Sequence, residues 1–265
     1  MIVETIEHNV QQPRNRIHQT PLLFLHGAWH GAWCWQLWMD YFASLGYEVH
    51  SISLPAHGKS SCNKGHINFY TFADYVKTLA NEVESISPKP VVVGHSMGGA
   101  ILQKYLEKNQ LPGAVLLATL PATGMFPMTL RLLQRFPGFT LAGMLTLDLH
   151  QWVRTPKRAR DLFLAPNTKI DIVAFQKQLV SETASNVFSI MFPFAKLNPT
   201  RSPVFVIAGE RDIIFTLDEE RKTAEKYGAK IIVIADQPHN LMMESAWQQV
   251  ADEIDGWISH ELALP

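Results

Sequence analysis

One short stretch constrains the fold of this chain more than any other. A run of three valines, residues 91 to 93, leads into Gly94-His-Ser-Met-Gly98, and a helical pattern then continues to about residue 108. An apolar run without polar breaks is typical of a strand that is buried on both faces of a parallel sheet. A strand that turns into a helix through Gly-X-Ser-X-Gly raises its serine above the sheet in a strained turn. Ser96 is therefore the candidate nucleophile.

The alternation of apolar runs and periodic segments extends along the chain. The predicted strands cover residues 22–25, 48–53, 91–93, 114–117, 203–208 and 231–235, and the predicted helices cover 33–45, 71–86, 97–108, 218–227 and 242–259. This alternation predicts an α/β fold, in which helices flank a mainly parallel central β-sheet. The N-terminal region is too short and polar for two full leading strands.

Residues 122–198, named here the cap segment, break the alternation. They contain helical pieces, prolines and many Met and Phe side chains, but no convincing buried strand. Because they stand between two predicted strands, we expect a helical cap inserted into a core domain of residues 1–121 and 199–265. Ligand pockets are mostly apolar, so we expect some of these side chains to line an acyl pocket. The candidates are Met125, Phe126, Met128, Phe136, Phe139, Met144, Phe188, Met191, Phe192 and Phe194, with Trp29 from the core.

A serine hydroxyl is a weak nucleophile and needs a base, which in turn needs an acid to fix its tautomer. His239 follows the last predicted strand, and Asp212 follows the strand before it. Both positions lie at carboxyl ends of strands, where open α/β sheets place their sites. The order Ser96, Asp212, His239 agrees with the order used on this kind of fold. Asp236 and Glu210 are the weaker alternatives for the acid.

Two backbone N–H groups are predicted to bind the oxyanion. The first belongs to Met97, which follows the serine at the helix N-terminus. The second is expected from the loop after the first clear strand, which reads His26-Gly-Ala-Trp-His-Gly-Ala-Trp33. Within it, Gly27 lets the backbone approach the site and Ala28 offers its N–H. His26 is expected to hold this loop through a hydrogen bond.

On these residues the chain resembles the α/β-hydrolase superfamily, from about Leu22 to Trp257. The loop from His26 to Trp35 is similar to that of a subgroup containing small carboxylesterases, methylesterases and hydroxynitrile lyases. The resemblance implies a cap between the sixth strand and the strand before Asp212. It also implies a serine hydrolase that cleaves small to medium apolar carboxylic esters, such as an esterase or lipase-like enzyme. This chemistry needs no metal and no cofactor.

Composition excludes several other classes. The net charge is −1, which argues against a nucleic-acid partner. No uninterrupted apolar run reaches about 18 residues, so stable membrane insertion is not expected. Two cysteines in 265 residues form no disulfide framework, and a polar N-terminus lacks the apolar core of a signal peptide. We therefore expect a cytoplasmic protein whose partner is a small-molecule ester.

Alternative functions remain open on the same residues. A hydroxynitrile-lyase-type C–C cleavage can use this triad, but it also wants a cation in the cap, for which Lys169, Lys177 and Lys196 are candidates. Hydrolysis of thioesters or amides is open as well. A ligand-binding receptor built on a hydrolase fold can retain an intact triad. A dehalogenase or epoxide hydrolase is disfavoured, because it would carry aspartate at position 96.

Overall fold

The predicted apolar runs form the middle of one sheet. A computed structural model describes residues 5–195 and 201–262, apart from the side chains of residues 187 and 188. Within these residues the strands are β1 His8–Gln11, β2 Leu22–Leu25, β3 Val49–Ile52, β4 Val91–His95, β5 Ala114–Leu117, β6 Val204–Gly209 and β7 Lys230–Ile234. Their spatial order is β1-β3-β2-β4-β5-β6-β7, and only β1 runs antiparallel to its neighbour. The predicted mainly parallel α/β fold is confirmed.

Helices cover both faces of the sheet. They are α1 Gln36–Ser44, α2 Phe72–Ser85, α3 Met97–Leu106, α4 Phe126–Arg135, α5 Pro137–Thr146, α6 Pro156–Phe163, α7 Ile172–Gln178, α8 Ala184–Ser189, α9 Leu217–Tyr227 and α10 Trp247–Gly256. Short 3-10 turns cover Ala32–Trp35, Ile67–Phe69 and Leu149–Trp152, and a π-helical turn covers Trp257–Glu261. In the described part of the chain, no helix is long and apolar enough to cross a membrane.

The central strand shows why the sheet is buried on both sides. Val92 belongs to a core cluster with side chains of α2, α3 and the cap segment. Val91 and Val93 belong to the opposite cluster, with side chains of α1 and α10. All three valines have no solvent exposure. Burying such side chains on two faces contributes roughly 1.5–3 kcal/mol for each, which fixes β4 in the centre of the sheet.

The strand register brings the loops that carry the predicted site residues together at the carboxyl ends of the strands, named here the sheet edge. Leu25 of β2 pairs with Gly94 of β4, and His95 pairs with Leu117 of β5. Because these strands are parallel, the loops that follow them leave the sheet at the same edge. Gly209 pairs with Ile234 in the last two strands, so the loops after β6 and β7 leave at this edge too. Helices α4 to α8 lie between β5 and β6 in the chain, within the cap segment.

Two elements differ from the sequence-based expectation. The predicted helix over 242–259 begins only at Trp247, because residues 239–246 form a series of turns. Strand β1 was not predicted, since His8–Gln11 contains one strongly apolar residue, Val10, which is half exposed. This strand is held by its ladder with β3 and by a contact of 2.8 Å between His8 Nε2 and His50 Nδ1. Edge strands need only one apolar face, so their sequence signal is weak.

Candidate active site

Ser96 occupies a strained turn between β4 and α3. Its φ of +53° and ψ of −117° lie outside the regions that a serine ordinarily adopts. Its N–H donates to the carbonyl of Leu117, and its own carbonyl accepts from Ala100. A Cβ on Gly98 would lie 2.5 Å from the carbonyl oxygen of His26, so only glycine allows this close approach of helix and loop. The surrounding hydrogen bonds therefore maintain a conformation that presents the serine side chain at the sheet edge.

Asp212 and His239 are brought together on the neighbouring loops. His239 Nδ1–H donates to Asp212 Oδ2 at 2.7 Å, and both side chains are almost fully buried. The other carboxylate oxygen of Asp212 accepts from the N–H groups of Ile214 and Phe215, at 2.7 and 3.2 Å. With both oxygens engaged, the carboxylate holds the imidazole in the tautomer that leaves Nε2 free to accept a proton.

The alternative acids are placed elsewhere. Asp236 has an exposed side chain, which pairs with Arg211, and its φ of +59° marks it as a turn residue. Glu210 accepts a hydrogen bond from the backbone N–H of Asp236. The carboxylate that accepts the hydrogen bond from the imidazole is that of Asp212, the acid preferred from the sequence.

His239 Nε2 is the ring nitrogen that takes no part in the hydrogen bond between His239 and Asp212. It is buried and has no hydrogen-bond partner among the described residues, Ser96 included. Phe163 and Phe215 flank the imidazole, with ring centroids 6.0 and 5.5 Å away, and both also line the cavity that contains Ser96. In ligand-free sites the contact between nucleophile and base is often longer than a hydrogen bond and tightens around the substrate. The arrangement therefore leaves a basic nitrogen beside the serine cavity.

His95 supports the loop of His239 rather than the reaction. Its Nε2–H donates to the carbonyl of His239 at 3.1 Å, and the two rings lie 4.7 Å apart. Burial lowers the pKa of His95 well below its ordinary value, so this ring stays neutral. His95 is therefore a packed, hydrogen-bonded histidine of the core.

The two expected oxyanion donors face one cavity. Ala28 and Met97 both line the cavity that contains Ser96, and neither backbone N–H donates to another described residue. His26 Nδ1–H donates to the Gly27 carbonyl at 2.7 Å, while His26 Nε2 accepts from the N–H of Leu54 at 2.9 Å. The Gly27 carbonyl and the Ala28 N–H belong to one planar peptide unit. His26 therefore fixes the direction of the predicted donor.

A second histidine holds the other side of this loop. His30 Nδ1–H donates to the carbonyl of Ala28 at 2.7 Å, and its Nε2 accepts from the amide of Asn240 at 3.0 Å. Burial lowers the pKa of His30 to about 4, so the ring is neutral at physiological pH. Because Asn240 follows His239 directly, His30 ties the oxyanion loop to the loop of the candidate base.

The cavity above Ser96 is small and mostly apolar. Its volume is about 40 Å³. Three predicted pocket residues, Trp29, Met125 and Met128, line it. Seven others were not predicted: Leu120, Phe163, Glu182, Asn186, Ile190, Ile214 and Phe215. Trp29 is also fixed to the cap segment, since its indole N–H donates to the Leu149 carbonyl at 3.1 Å.

Other predicted pocket residues lie elsewhere. Phe126 does not line this cavity; it is 46% exposed and stacks on the exposed Phe192. Met144 is exposed as well. Phe126 lies in α4 and Met144 in α5, and each helix has a face toward solvent. Composition alone does not show which apolar side chains lie on that face. Four further candidates, Phe136, Phe139, Met191 and Phe194, do not line the cavity. The side chain of Phe188 lies outside the described residues.

A buried ion pair behind the cavity was missed by sequence analysis. His57 Nε2 lies 3.1 Å from Glu182 Oε2, and neither side chain is exposed by more than 2%. His57 Nδ1–H also donates to the Pro55 carbonyl, a hydrogen bond that organises the loop of His57. The residues lie 125 positions apart in the chain, so local sequence patterns carried no signal of the pairing.

Basic side chains are not found around the serine. Among the described residues that line its cavity there is no Lys or Arg. Lys169 lines a separate groove of about 1260 Å³, Lys177 is exposed, and Lys196 lies outside the described residues. Across residues 5–195 and 201–262, no three His, Cys, Asp or Glu side chains are grouped to hold a metal ion.

A sharp serine turn, an Asp–His pair and two free amides at one sheet edge define a site of the hydrolase class. A model of the alpha/beta hydrolase family matches residues 22–253, and the chain belongs to this family. Its fold is similar to that of the esterase RhEst1 from Rhodococcus sp., with a TM-score of 0.73, 18% identity, and coverage of 97% of this chain and 95% of that one.

Curated relatives carry esterase names. The chain is 24% identical to methylesterase 9 of Arabidopsis thaliana over 88% of this chain and 95% of the relative. It is 32% identical to the putative chloroplastic methylesterase 15 of the same plant, over 32% of this chain and 19% of the relative. The chain spans less than half of the length of several curated relatives that it matches.

Proposed function

We propose that this chain is a serine hydrolase that cleaves small to medium apolar carboxylic esters through Ser96, His239 and Asp212. One observation carries the proposal. The buried His239 is held by Asp212 at 2.7 Å, its second ring nitrogen has no partner among the described residues, and the rings of Phe163 and Phe215 that flank it line the cavity of Ser96. A base in this state is ready to take a proton from a serine hydroxyl.

The reaction follows from these positions. His239 Nε2 takes the proton of Ser96 as the serine oxygen attacks the ester carbonyl. The amides of Ala28 and Met97 stabilise the tetrahedral oxyanion, a contribution of about 10²–10³-fold in rate for each such donor. The alcohol leaves with the proton of His239, and an acyl-enzyme remains. Water then repeats the sequence on the acyl-enzyme, while Asp212 stays ionised and orients the imidazole.

The relatives and the cavity support an ester with a compact group in the pocket. Several curated relatives are named as methylesterases or esterases. The cavity of about 40 Å³ is far smaller than the roughly 300–1,000 Å³ of ordinary ligand pockets. A longer acyl chain would therefore require the cap segment to move away from Ser96. A cytoplasmic location remains a prediction.

Cyanohydrin cleavage on the same residues has less support. That reaction wants a cation over the leaving group, and none of the described residues lining the serine cavity supplies one. The ester reaction needs no such charge, because the oxyanion is stabilised by backbone amides and the leaving alcohol is protonated by His239.

The test is a series of p-nitrophenyl esters with increasing acyl length, assayed with wild type and Ser96→Ala. We expect the substitution to lower kcat/KM by about 10⁴–10⁶-fold, as when a triad nucleophile is removed. Ser85→Ala is the matched control, because Ser85 is exposed at the end of α2 and bonds only the Glu82 carbonyl. Equal rates for wild type and Ser96→Ala on every ester would falsify the proposal.

A further inference from the structure

The wall of the cavity opposite the sheet carries an amide that the proposed reaction does not use. Asn186 in α8 has no solvent exposure and lines the same cavity as Ser96. Neither its amide nitrogen nor its amide oxygen has a hydrogen-bond partner among the described residues. Its backbone is held normally, with the N–H donating to the Thr183 carbonyl and the carbonyl accepting from Ile190. The side chain alone is unsatisfied.

An unsatisfied buried amide is unusual enough to indicate a function. Buried amides that only support a fold find partners, because leaving them unpaired costs free energy. Gln103 in α3 shows the normal case, since its amide nitrogen donates to Thr119 Oγ1 and to the Leu120 carbonyl at 3.0 and 2.8 Å. The amide nitrogen of Gln103 is thus paired with two acceptors. The amide of Asn186, which lines the serine cavity, has no partner among the described residues.

Glu182, the acid near Asn186, limits the charge that a substrate group can carry at this wall of the cavity. Glu182 also lines the cavity, and its carboxyl is already engaged. One oxygen accepts from the Thr183 N–H at 2.7 Å, and the other faces His57 Nε2 at 3.1 Å. Because His57 Nδ1–H donates to the Pro55 carbonyl, a single proton between Nε2 and the carboxyl completes that contact.

A charged substrate group would be unmatched at this wall. A cationic group would compete with His57 for Glu182, and no Lys or Arg among the described lining residues would balance an anionic one. A neutral group avoids both costs. The amide of Asn186 offers N–H donors and a carbonyl acceptor, which suit a hydroxyl or a ketone.

We propose that Asn186 is a specificity-determining residue that binds a neutral hydrogen-bonding group, a hydroxyl or a ketone, on the acyl chain of the substrate. This inference rests on the proposed ester hydrolysis at Ser96 and adds the class of acyl group. A compact apolar acyl group matches the apolar lining of the cavity but leaves the amide unpaired. An acyl chain that carries one oxygen within hydrogen-bonding distance of Asn186 pairs with this amide. Esters of such acyl chains are therefore the preferred substrates.

The test compares matched esters with one leaving group. The substrates are p-nitrophenyl butanoate, pentanoate and hexanoate, each paired with its analogue bearing a ketone at carbon 3, 4 or 5, and butanoate also with its 3-hydroxy analogue. The readout is the kcat/KM ratio of the oxygenated ester to its parent. The intrinsic reactivity of each ester cancels when this ratio is compared between wild type and a variant.

The variant is Asn186→Leu, which keeps the size of the side chain and removes its polar atoms. We expect the ratio to fall about tenfold for at least one oxygenated ester, the amount associated with a single hydrogen bond to a buried neutral group. Asn109→Leu is the matched control, because Asn109 is exposed and its amide donates only to the Tyr105 carbonyl. Its ratios are expected to equal those of wild type.

The outcomes separate the two proposals. If wild type hydrolyses the parent esters and Asn186→Leu leaves every ratio unchanged, the role of Asn186 is refuted while ester hydrolysis stands. If wild type is no faster than Ser96→Ala on all esters, both proposals fail together. Circular dichroism monitors folding, and Asn186→Ala is read by the same criterion if Asn186→Leu does not fold.

Discussion

The two sides of the serine cavity treat their polar groups differently. On the sheet side, Asp212 has both carboxylate oxygens engaged, and the only unpartnered atom of His239 is the nitrogen expected to act. On the side of the cap segment, Glu182 is engaged by His57 while both amide atoms of Asn186 are open. On the sheet side, the groups without a described partner are those expected to act on the ester, whereas the open amide of Asn186 on the cap side has no part in the proposed chemical steps.

The difference indicates separate roles for the two sides in the proposed reaction. The sheet side is built from loops that follow strands, so the strands fix the positions of its side chains. In the proposed reaction, these side chains determine the class of chemistry. The cap side is built from short helices such as α8, which no strand of the sheet leads into and whose start is held by hydrogen bonds to Asn68 and Tyr70. A surface of that kind can change its lining without disturbing the sheet, and it therefore suits substrate selection.

The largest expected effect tests the sheet side. Asp212→Asn is expected to lower kcat/KM by about 10⁴-fold, because an amide in place of the carboxylate stabilises the wrong tautomer of His239. Ester hydrolysis assays at saturating and limiting substrate measure the loss.

The matched control is Asp236→Asn, three residues before the candidate base. Asp236 is exposed and pairs with Arg211 at the surface, so activity is expected to stay within about twofold of wild type. Comparable losses in the two variants would mean that the acid of the site has been misassigned.

The next effect tests how the cap side is attached to the sheet side. Glu182→Leu leaves His57 buried without its partner, and we expect a loss of about 3–5 kcal/mol in the free energy of unfolding. His57→Leu is expected to cost a similar amount. The double variant should lose less than the sum, because replacing both partners leaves no buried polar side chain without its partner.

Urea unfolding of the four proteins in this cycle measures the coupling. Glu84→Gln is the control, since the pair of Glu84 with Lys89 is exposed and should show no resolvable change. Strict additivity of the two single substitutions would show that the buried pair does not join the two sides.

The same division explains what the sequence could predict. The sheet and the loops at its edge follow local rules: three valines form a buried strand, and the glycines around Ser96 mark a turn that tolerates no Cβ. The cap side follows no local rule. Phe126 and Met128 stand two positions apart in α4, yet only Met128 lines the cavity, because helical rotation separates their faces.

The polar residues of the cap side were also beyond sequence reasoning. Glu182, which precedes α8, and Asn186 within α8 are ordinary polar residues, and their importance comes from His57 and the cavity, which are distant in the chain. Polar residues of this kind are usually exposed, so nothing local distinguished them. Strand β1 was missed for a related reason, as a polar edge strand is identified mainly by its partner.

The smallest expected effect concerns an acid buried behind the sheet side. Glu220 in α9 is 1% exposed, and no basic side chain in the described part of the chain pairs with it. Burial raises its pKa well above the ordinary value of 4.5, and the negative charges of Asp212 and Glu219 raise it further. Folding therefore favours the protonated, neutral form of Glu220.

The sign of the resulting pH dependence follows from proton binding. Above pH 4.5 the unfolded chain releases the proton of Glu220 while the folded protein retains it, so wild-type stability falls as pH rises toward the raised pKa. Glu220→Gln removes this penalty. The stability of the variant relative to wild type should grow by about 1.4 kcal/mol per pH unit over that window.

Urea unfolding of both proteins at pH 5, 6, 7 and 8 measures the difference. Glu225→Gln, on the exposed face of the same helix, should give a difference from wild type that does not change with pH. A constant difference for Glu220→Gln as well would show that Glu220 ionises in the folded state. The sheet side would then contain a second charge near Asp212, and its contrast with the open cap side would be weaker than the contacts indicate.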